Sequence, residues 1–202
     1  MWIDAYDFDG TLYRGDSTVD FCRFCLARKP ALLRYLPRQA RALWMLAVRR
    51  WDLTRAKGEL LCFFAGIDAP AMAEAFWARP AAQRRLVPWF TPADSTLPVV
   101  ILSASPELIL RPVVSRWPGV RLIGTRVDAA TGALTQRNCK ADEKVRRLAE
   151  ELPDVLIRAM YTDDLKADAP LLRLAQQRYH VQKGQYRRVW DASPVAPGKA
   201  GQ

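Results

Sequence analysis

Two carboxylates separated by one residue lie near the start of the chain and could act together on one reacting atom. Asp7 and Asp9 come at the end of a short alternating segment, residues 3–8, that is typical of a strand running into a loop. Residues i and i+2 of an extended strand point to the same side, so both carboxylates can face one centre. One can attack as a nucleophile while the other handles the proton of a leaving group. Gly10 allows the sharp turn that follows.

A hydroxyl, a lysine and three further acids follow other predicted strands. They are Ser103, Lys144, Asp163, Asp164 and Asp168. Loops at the carboxyl ends of parallel strands gather at one edge of a sheet, so we expect these groups to meet the first two acids in one crevice. Five carboxylates so close would repel each other without a cation, and oxygen ligands select a hard ion, for which Mg²⁺ fits best. Together with a lysine and a hydroxyl, the set is typical of phosphoryl binding.

The pattern of the whole chain predicts an α/β fold built on a doubly wound parallel sheet. From about residue 96 onward strand and helix segments alternate, and one further strand lies at the start. Residues 17–89 carry apolar residues at helical spacing, which predicts a helical cap inserted between the first two strands. The predicted catalytic core is therefore residues 1–16 and 90–191, and we expect residues 192–202 to be a disordered tail.

Two local expectations concern helix boundaries. Ser105 and Pro106 predict the start of a helix after the strand at 98–103, with Ser105 as its capping residue. A later helix is predicted over residues 169–177. The loops that carry the acids and Ser103 would then be the connections between these strands and helices.

Composition narrows the classes of function. The 202 residues include 31 Lys or Arg and 21 Asp or Glu, a formal net charge of +10, which favours an anionic partner. The single histidine, His180, excludes a multi-histidine metal site and disfavours a Ser-His-Asp triad. Four cysteines in a chain of this length do not indicate a disulfide framework. Neither a signal peptide nor an apolar run long enough to span a membrane is visible, so we expect a cytoplasmic location.

The motifs together resemble those of the haloacid dehalogenase superfamily of phosphatases. Residues 7–11 read DFDGT and match its first motif, and Ser103 after an aliphatic run matches the second. Lys144 matches the third motif, and the acids at 163, 164 and 168 match the fourth. The four motifs occur in the right order, and the resemblance covers roughly residues 1–190.

The position of the helical insertion, directly after the first motif, resembles the branch that contains phosphoserine phosphatase. Segments reading GDSTVDF, SASPE and NCKADEKV are similar to those of uncharacterised bacterial hydrolases and of the phosphatidylglycerophosphatase C family. The resemblance implies Mg²⁺-dependent hydrolysis of a phosphomonoester.

The resemblance also implies roles for the catalytic residues. Asp7 would be the nucleophile that forms an aspartyl-phosphate, and Asp9 would protonate the leaving oxygen and later activate water. Ser103 and Lys144 would hold the phosphoryl group. Further contacts to the phosphate would come from Gly10, Thr11 and Ala104.

The same resemblance implies a Mg²⁺ site with one open question. The ligands would be the Asp7 carboxylate, the Asp9 backbone carbonyl and Asp163. Asp164 and Asp168 would ligate the ion through water or orient the motif lysine, and the sequence does not decide between them because the spacing departs from that of many relatives. Lys140 competes with Lys144 for the third motif, and we prefer Lys144.

A basic segment of the chain has two interpretations, and they imply different substrates. Residues 28–57 hold nine Arg or Lys and one acid, Asp52. At helical spacing, Arg34, Arg38, Arg41 and Arg49 fall opposite Leu36, Ala40, Leu43, Ala47 and Trp51. An ordinary solvated helix face and a helix lying on an anionic membrane both fit this pattern. No nucleic-acid partner is expected, because no binding motif is present.

Three functions therefore stay open. One is a phosphatase for a small phosphorylated metabolite, and another is a lipid-phosphate phosphatase at a membrane surface. The third is an anion- or membrane-binding protein without catalysis, which the intact set of motif residues disfavours.

Overall fold

Six strands form the centre of the structure, a computed structural model that describes residues 1–191; the expected tail at 192–202 lies outside the described residues. The strands are β1 (Trp2–Tyr6), β2 (Val99–Pro106), β3 (Arg121–Thr125), β4 (Leu156–Thr162), β5 (Ala175–Gln182) and β6 (Gln185–Asp191). They pair in the order β3-β2-β1-β4-β5-β6. Every pair is parallel except the edge hairpin of β5 and β6. The predicted α/β fold with a doubly wound parallel sheet is confirmed.

Helices fill the long connection between β1 and β2 and cover the sheet. The connection contains α1 (Ser17–Arg28), α2 (Leu36–Ala47), α3 (Leu53–Leu60), α4 (Ala69–Trp77) and α5 (Pro80–Gln83). The later helices are α6 (Glu107–Val114), α7 (Asp142–Glu151) and α8 (Ala169–Leu174). Side chains of Asp16, Asp52 and Asp68 accept backbone hydrogen bonds at the starts of α1, α3 and α4. These caps satisfy amide groups that a helix leaves unpaired at its first turn, and so fix where the three helices begin.

Two boundaries differ from the sequence expectation. Strand β2 continues through Ser105 to Pro106, and α6 begins at Glu107 without a side-chain cap. The helix expected at 169–177 ends at Leu174, because the residues from Ala175 onward pair with β4. Pairing with a neighbouring strand outweighs the helix preference of Ala175, Gln176 and Gln177.

Each face of the sheet has its own hydrophobic core. Along β2 the side chains alternate, so Val100 and Leu102 pack with α7 and α8, whereas Ile101 packs on the opposite side with α6. This period of two is the geometric property of a strand that is buried on both faces.

The helical insertion shares the core on the α6 side. Trp77 of α4 is fully buried, and its Nε1 donates a hydrogen bond of 2.6 Å to the carbonyl oxygen of Ile109 in α6. The Trp77 ring also packs edge-on against Phe8 and Tyr13, which follow β1. The helices of the insertion lie between Ser17 and Gln83, and the division of residues 17–89 from the core as a separate cap stays a prediction.

Within residues 1–191, no single helix is long and apolar enough to cross a membrane. The segments Leu53–Gly66 and Ala69–Trp77 reach the required length and composition only when combined, and they are bent by 92° relative to each other.

We expect Trp77→Ala to lower the free energy of unfolding by about 3–5 kcal/mol, because it leaves a cavity between the insertion and the sheet. Trp44→Ala is the matched control, since that indole is 63% exposed, and it should change stability by less than about 0.5 kcal/mol. Urea unfolding of both variants measures the difference. Equal stability of the two variants would contradict a shared core.

Candidate active site

A pocket of about 410 Å³ lies where the loops after β1, β2 and β4 meet the helical insertion. Its polar lining includes most of the predicted set: Asp7, Asp9, Ser103, Ala104, Lys144, Asp163, Asp164 and Asp168. Four apolar residues of the insertion line the pocket as well: Val19, Leu53, Leu60 and Leu61. The pocket thus combines a charged floor supplied by the sheet with an apolar wall supplied by the insertion.

The floor is organised by a buried lysine. Lys144 of α7 places its Nζ 2.7 Å from Asp7 Oδ1 and 2.7 Å from Asp168 Oδ1. Burial lowers the pKa of Lys144, but the two carboxylates outweigh this effect and raise it above its ordinary value. Burial also raises the pKa of Asp7 to about 7, against the opposing influence of Lys144. The nucleophile predicted from the sequence is therefore held in place by a cation that remains charged.

The second carboxylate of the first motif is held by different partners. Asp9 Oδ1 accepts a hydrogen bond of 2.7 Å from the amide of Ser17, the first residue of α1. Asp9 Oδ2 accepts a hydrogen bond from the Ser105 hydroxyl. Burial raises the pKa of Asp9 above its ordinary value even though both donors favour the ionised form.

Ser105 has a role that the sequence did not indicate. It was expected to cap a helix, but its hydroxyl contacts Asp9 and Thr18, and its amide donates to Ser103 Oγ at 3.0 Å. The hydroxyl bonds with Asp9 and Thr18 link the end of β2 with the loop after β1 and with α1. A serine that caps a helix and a serine that positions a carboxylate cannot be told apart in the sequence, because both can directly precede a helix.

The turn after Asp9 supports Asp163 rather than lining the pocket. Gly10 has φ +75°, and a Cβ there would lie 2.0 Å from Asp163 Oδ2, so only glycine fits. Thr11 Oγ1 accepts from the Asp163 amide at 2.9 Å. The amides of Gly10 and Thr11 donate to backbone carbonyls within the loop. Their role as phosphate donors stays a prediction.

The two acids that the sequence left ambiguous have different environments. Asp168 is buried and joins Lys144 to Thr162, whose hydroxyl donates to Asp168 Oδ2 at 2.7 Å. Asp164 is exposed and accepts backbone hydrogen bonds in the turn before α8. The geometry therefore assigns the orientation of Lys144 to Asp168. Lys140 is exposed at the pocket, and it is Lys144 that makes the buried contacts.

Within residues 1–191, no three His, Cys, Asp or Glu side chains are close enough to hold a metal ion. The Asp9 carboxylate is engaged by Ser17 and Ser105. A Mg²⁺ site here would use the Asp7 and Asp163 carboxylates and the Asp9 carbonyl. Mg²⁺ keeps several water ligands and commonly takes only one or two carboxylates, so this oxygen set is chemically sufficient.

Lys57 is a second residue that the sequence did not single out. It extends from α3 into the pocket and donates to the Ala104 carbonyl and, at 3.1 Å, to Asn138 Oδ1. Both acceptors are neutral, and burial lowers the pKa of Lys57 to about 8. In the sequence it was one of nine basic residues of a segment, and only the fold shows which of them enters the pocket.

Comparisons with known proteins agree with this geometry. Residues 5–173 match the model of the haloacid dehalogenase-like hydrolase family. The chain is 33% identical over 197 residues to protein CicA of Caulobacter vibrioides, which covers 89% of this chain and 86% of that protein.

Two solved structures share the fold. A protein of unknown function from Bordetella pertussis Tohama I has a TM-score of 0.69 at 18% identity and covers 88% of both chains. A phosphoserine phosphohydrolase-like protein from Francisella tularensis subsp. tularensis SCHU S4 has a TM-score of 0.55 at 15% identity, covering 88% of this chain and 86% of that one. With the family match over residues 5–173, the chain belongs to the haloacid dehalogenase-like hydrolases.

Proposed function

We propose that this hydrolase is a Mg²⁺-dependent phosphatase that acts on a small phosphorylated metabolite through an aspartyl-phosphate on Asp7. One observation carries the proposal. Asp7 lies on the pocket floor in contact with Lys144, while Asp9 is held apart by its own two donors. Two carboxylates with separate partners can take separate roles, one as nucleophile and one as acid and base.

In the first half of the reaction, an Asp7 oxygen attacks phosphorus and the bond to the ester oxygen breaks. The leaving oxygen takes a proton from Asp9, whose burial favours the protonated form. Lys144 offsets the negative charge that Asp7 and the phosphoryl group bring together. In the second half, Asp9 accepts a proton from a water molecule that attacks phosphorus, which releases phosphate and restores Asp7.

Mg²⁺, when bound, would offset the charge of the phosphoryl oxygens during both transfers. Asp163 supports this role because its carboxylate accepts only a long hydrogen bond, 3.4 Å from Thr11 Oγ1, among the contacts of the described residues. The insertion would act as a cap that excludes bulk water from the pocket.

The position of Lys57 in the pocket favours a substrate whose leaving group carries a negative charge of its own. An ammonium has three donors, and only two of those of Lys57 have acceptors among the described residues. Lys140 adds a second positive charge at the pocket. A phosphorylated amino acid has this chemistry, and the Francisella protein of the same fold is described as phosphoserine phosphohydrolase-like.

The alternative substrate is a lipid phosphate at a membrane surface, which the resemblance to the phosphatidylglycerophosphatase C family implies. A cytoplasmic location stays a prediction.

Hydrolysis of an aryl phosphate tests the chemistry directly. We expect turnover with Mg²⁺, none with EDTA, and at least about a thousandfold loss of kcat in Asp7→Asn, because the nucleophile is removed. Activity that survives both treatments would contradict an aspartyl-phosphate. Absence of turnover together with absence of Mg²⁺ binding by calorimetry would favour a binding protein without catalysis.

Ser105→Ala tests whether this hydroxyl positions the proton donor. We expect kcat to fall about tenfold or more for an alkyl phosphate, which needs protonation of its leaving oxygen, with KM little changed. For a nitrophenyl phosphate the loss should be less than about threefold, because this leaving group departs without a proton. Equal losses on both substrates would indicate a purely structural role for Ser105.

Lys57→Gln tests recognition of the leaving group. We expect KM to rise about tenfold for carboxyphenyl phosphate but to change less than about twofold for phenyl phosphate, because only the first has a second anion. In the wild type the preference for carboxyphenyl phosphate should fade as pH rises through about 8, where Lys57 loses its proton. Lys57→Arg should retain the preference at high pH. Equal changes in KM for both substrates would contradict the assignment.

A further inference from the structure

The outer surface of α2 carries a row of large apolar side chains that nothing in the described structure covers. They are Leu33, Leu36, Leu43, Trp44 and Val48, here called the apolar stripe. Trp44 is 63% exposed and Leu43 is 54% exposed. Leu36, Leu43 and Trp44 lie within α2, whereas Leu33 precedes it in a short 3-10 helix, Pro30–Tyr35, and Val48 directly follows its last residue. Exposed apolar residues are ordinary when scattered, but a group of five on and beside one helix indicates a binding surface.

The packing of α2 uses a different side of the helix. Ala42 is fully buried, and Gln39 donates a hydrogen bond of 2.7 Å to the carbonyl of Leu60 in α3. The internal contacts of α2 are therefore made without the apolar stripe. The stripe does not belong to the core of the insertion.

Arginines without a carboxylate partner surround the stripe. Within residues 34–55, five exposed arginines make no ion pair with a described carboxylate: Arg34, Arg41, Arg49, Arg50 and Arg55. Arg41 and Arg55 lie over the ring of Trp51, at 5.5 and 4.5 Å from its centroid. Arg38, which shares the predicted basic helix side with Arg34, Arg41 and Arg49, pairs with Glu59 of α3. Since arginine stays charged at any physiological pH, the surface around the stripe is strongly positive.

The positive charge around the apolar stripe distinguishes between three binding partners: a second copy of this chain, a nucleic acid and an anionic bilayer. A second copy of this chain would bring five more unpaired arginines against the first five, which opposes self-association through this face. A nucleic acid matches the charge but not the aliphatic centre, because such interfaces are polar. An anionic bilayer matches both parts, with acyl chains for the stripe and headgroup phosphates for the arginines.

We infer that α2 docks this hydrolase on anionic membrane surfaces, with the apolar stripe inserted at the level of the headgroups. The chain continues from Val48 to Leu53, which is 41% exposed and lines the catalytic pocket. Docking would therefore bring the apolar side of the pocket toward the lipid. This inference goes beyond the proposed function, and its test does not use catalysis.

Vesicle flotation tests the inference on the full chain. We expect the wild type to float with vesicles of phosphatidylcholine containing about one third phosphatidylglycerol, and not with phosphatidylcholine alone. Raising salt to about 0.5 M should reduce the bound fraction severalfold, because the arginines are screened. The double variant Leu43→Ser, Trp44→Ser should bind at least about tenfold more weakly. Leu174→Ser is the matched control, since Leu174 of α8 is 55% exposed and lies outside α2, and it should bind as the wild type does.

Thermal unfolding of both variants shows that they are folded before binding is compared. Equal flotation with both kinds of vesicle, or none with either, would overturn the inference. Unchanged binding of the double variant would overturn it as well. A dimer of the wild type that the double variant abolishes would assign the stripe to a second copy of the chain instead.

Discussion

The contact of Lys144 with Asp7 and Asp168 is the interaction on which the site depends. It joins three separate parts of the chain: the start of α7, the end of β1 and the loop after β4. A buried ammonium is costly unless it is paired, and here two carboxylates and the Thr162 hydroxyl complete the network. Because the network has more negative than positive groups, it favours a further cation. In the proposed function, Lys144 would also contact the phosphoryl group of the substrate, and Mg²⁺ would supply the additional positive charge.

The helical insertion takes part in the site as well as covering it. The amide of Ser17 at the start of α1 holds Asp9, and Lys57 of α3 reaches the carbonyl of Ala104. Trp77 of α4 connects the insertion with α6 through a shared core. A displacement of the insertion would thus change the surroundings of Asp9 and the position of Lys57 together. In the proposed function, the catalytic chemistry and the choice of substrate would therefore be coupled.

The outer face of the insertion has a composition similar to that of its inner face. Toward the pocket it presents Val19, Leu60 and the ammonium of Lys57, and toward solvent it presents the apolar stripe with unpaired arginines. Both faces combine apolar surface with positive charge. Much of the excess of basic residues is concentrated in one segment of the insertion, residues 28–57, of which Lys57 lines the pocket that holds the acids.

Much of the fold and of the site followed from the sequence alone. The alternation of strands and helices predicts the doubly wound sheet, because the period of hydrophobic residues is a local property. The positions of Asp7, Ser103, Lys144 and Asp163 follow from the rule that loops at the carboxyl ends of parallel strands meet. Neither inference requires knowledge of a side-chain contact.

Tertiary structure alone decided which of several equivalent residues acts. Asp168 rather than Asp164 joins Lys144, Ser105 holds a carboxylate instead of capping a helix, and Lys57 alone among nine basic residues of its segment enters the pocket. It also showed that the apolar side of α2 faces outward. Spacing along the chain determines which residues share a strand end or a helix face. The direction in which that face points, and the partner that it meets, depend on packing between elements distant in sequence.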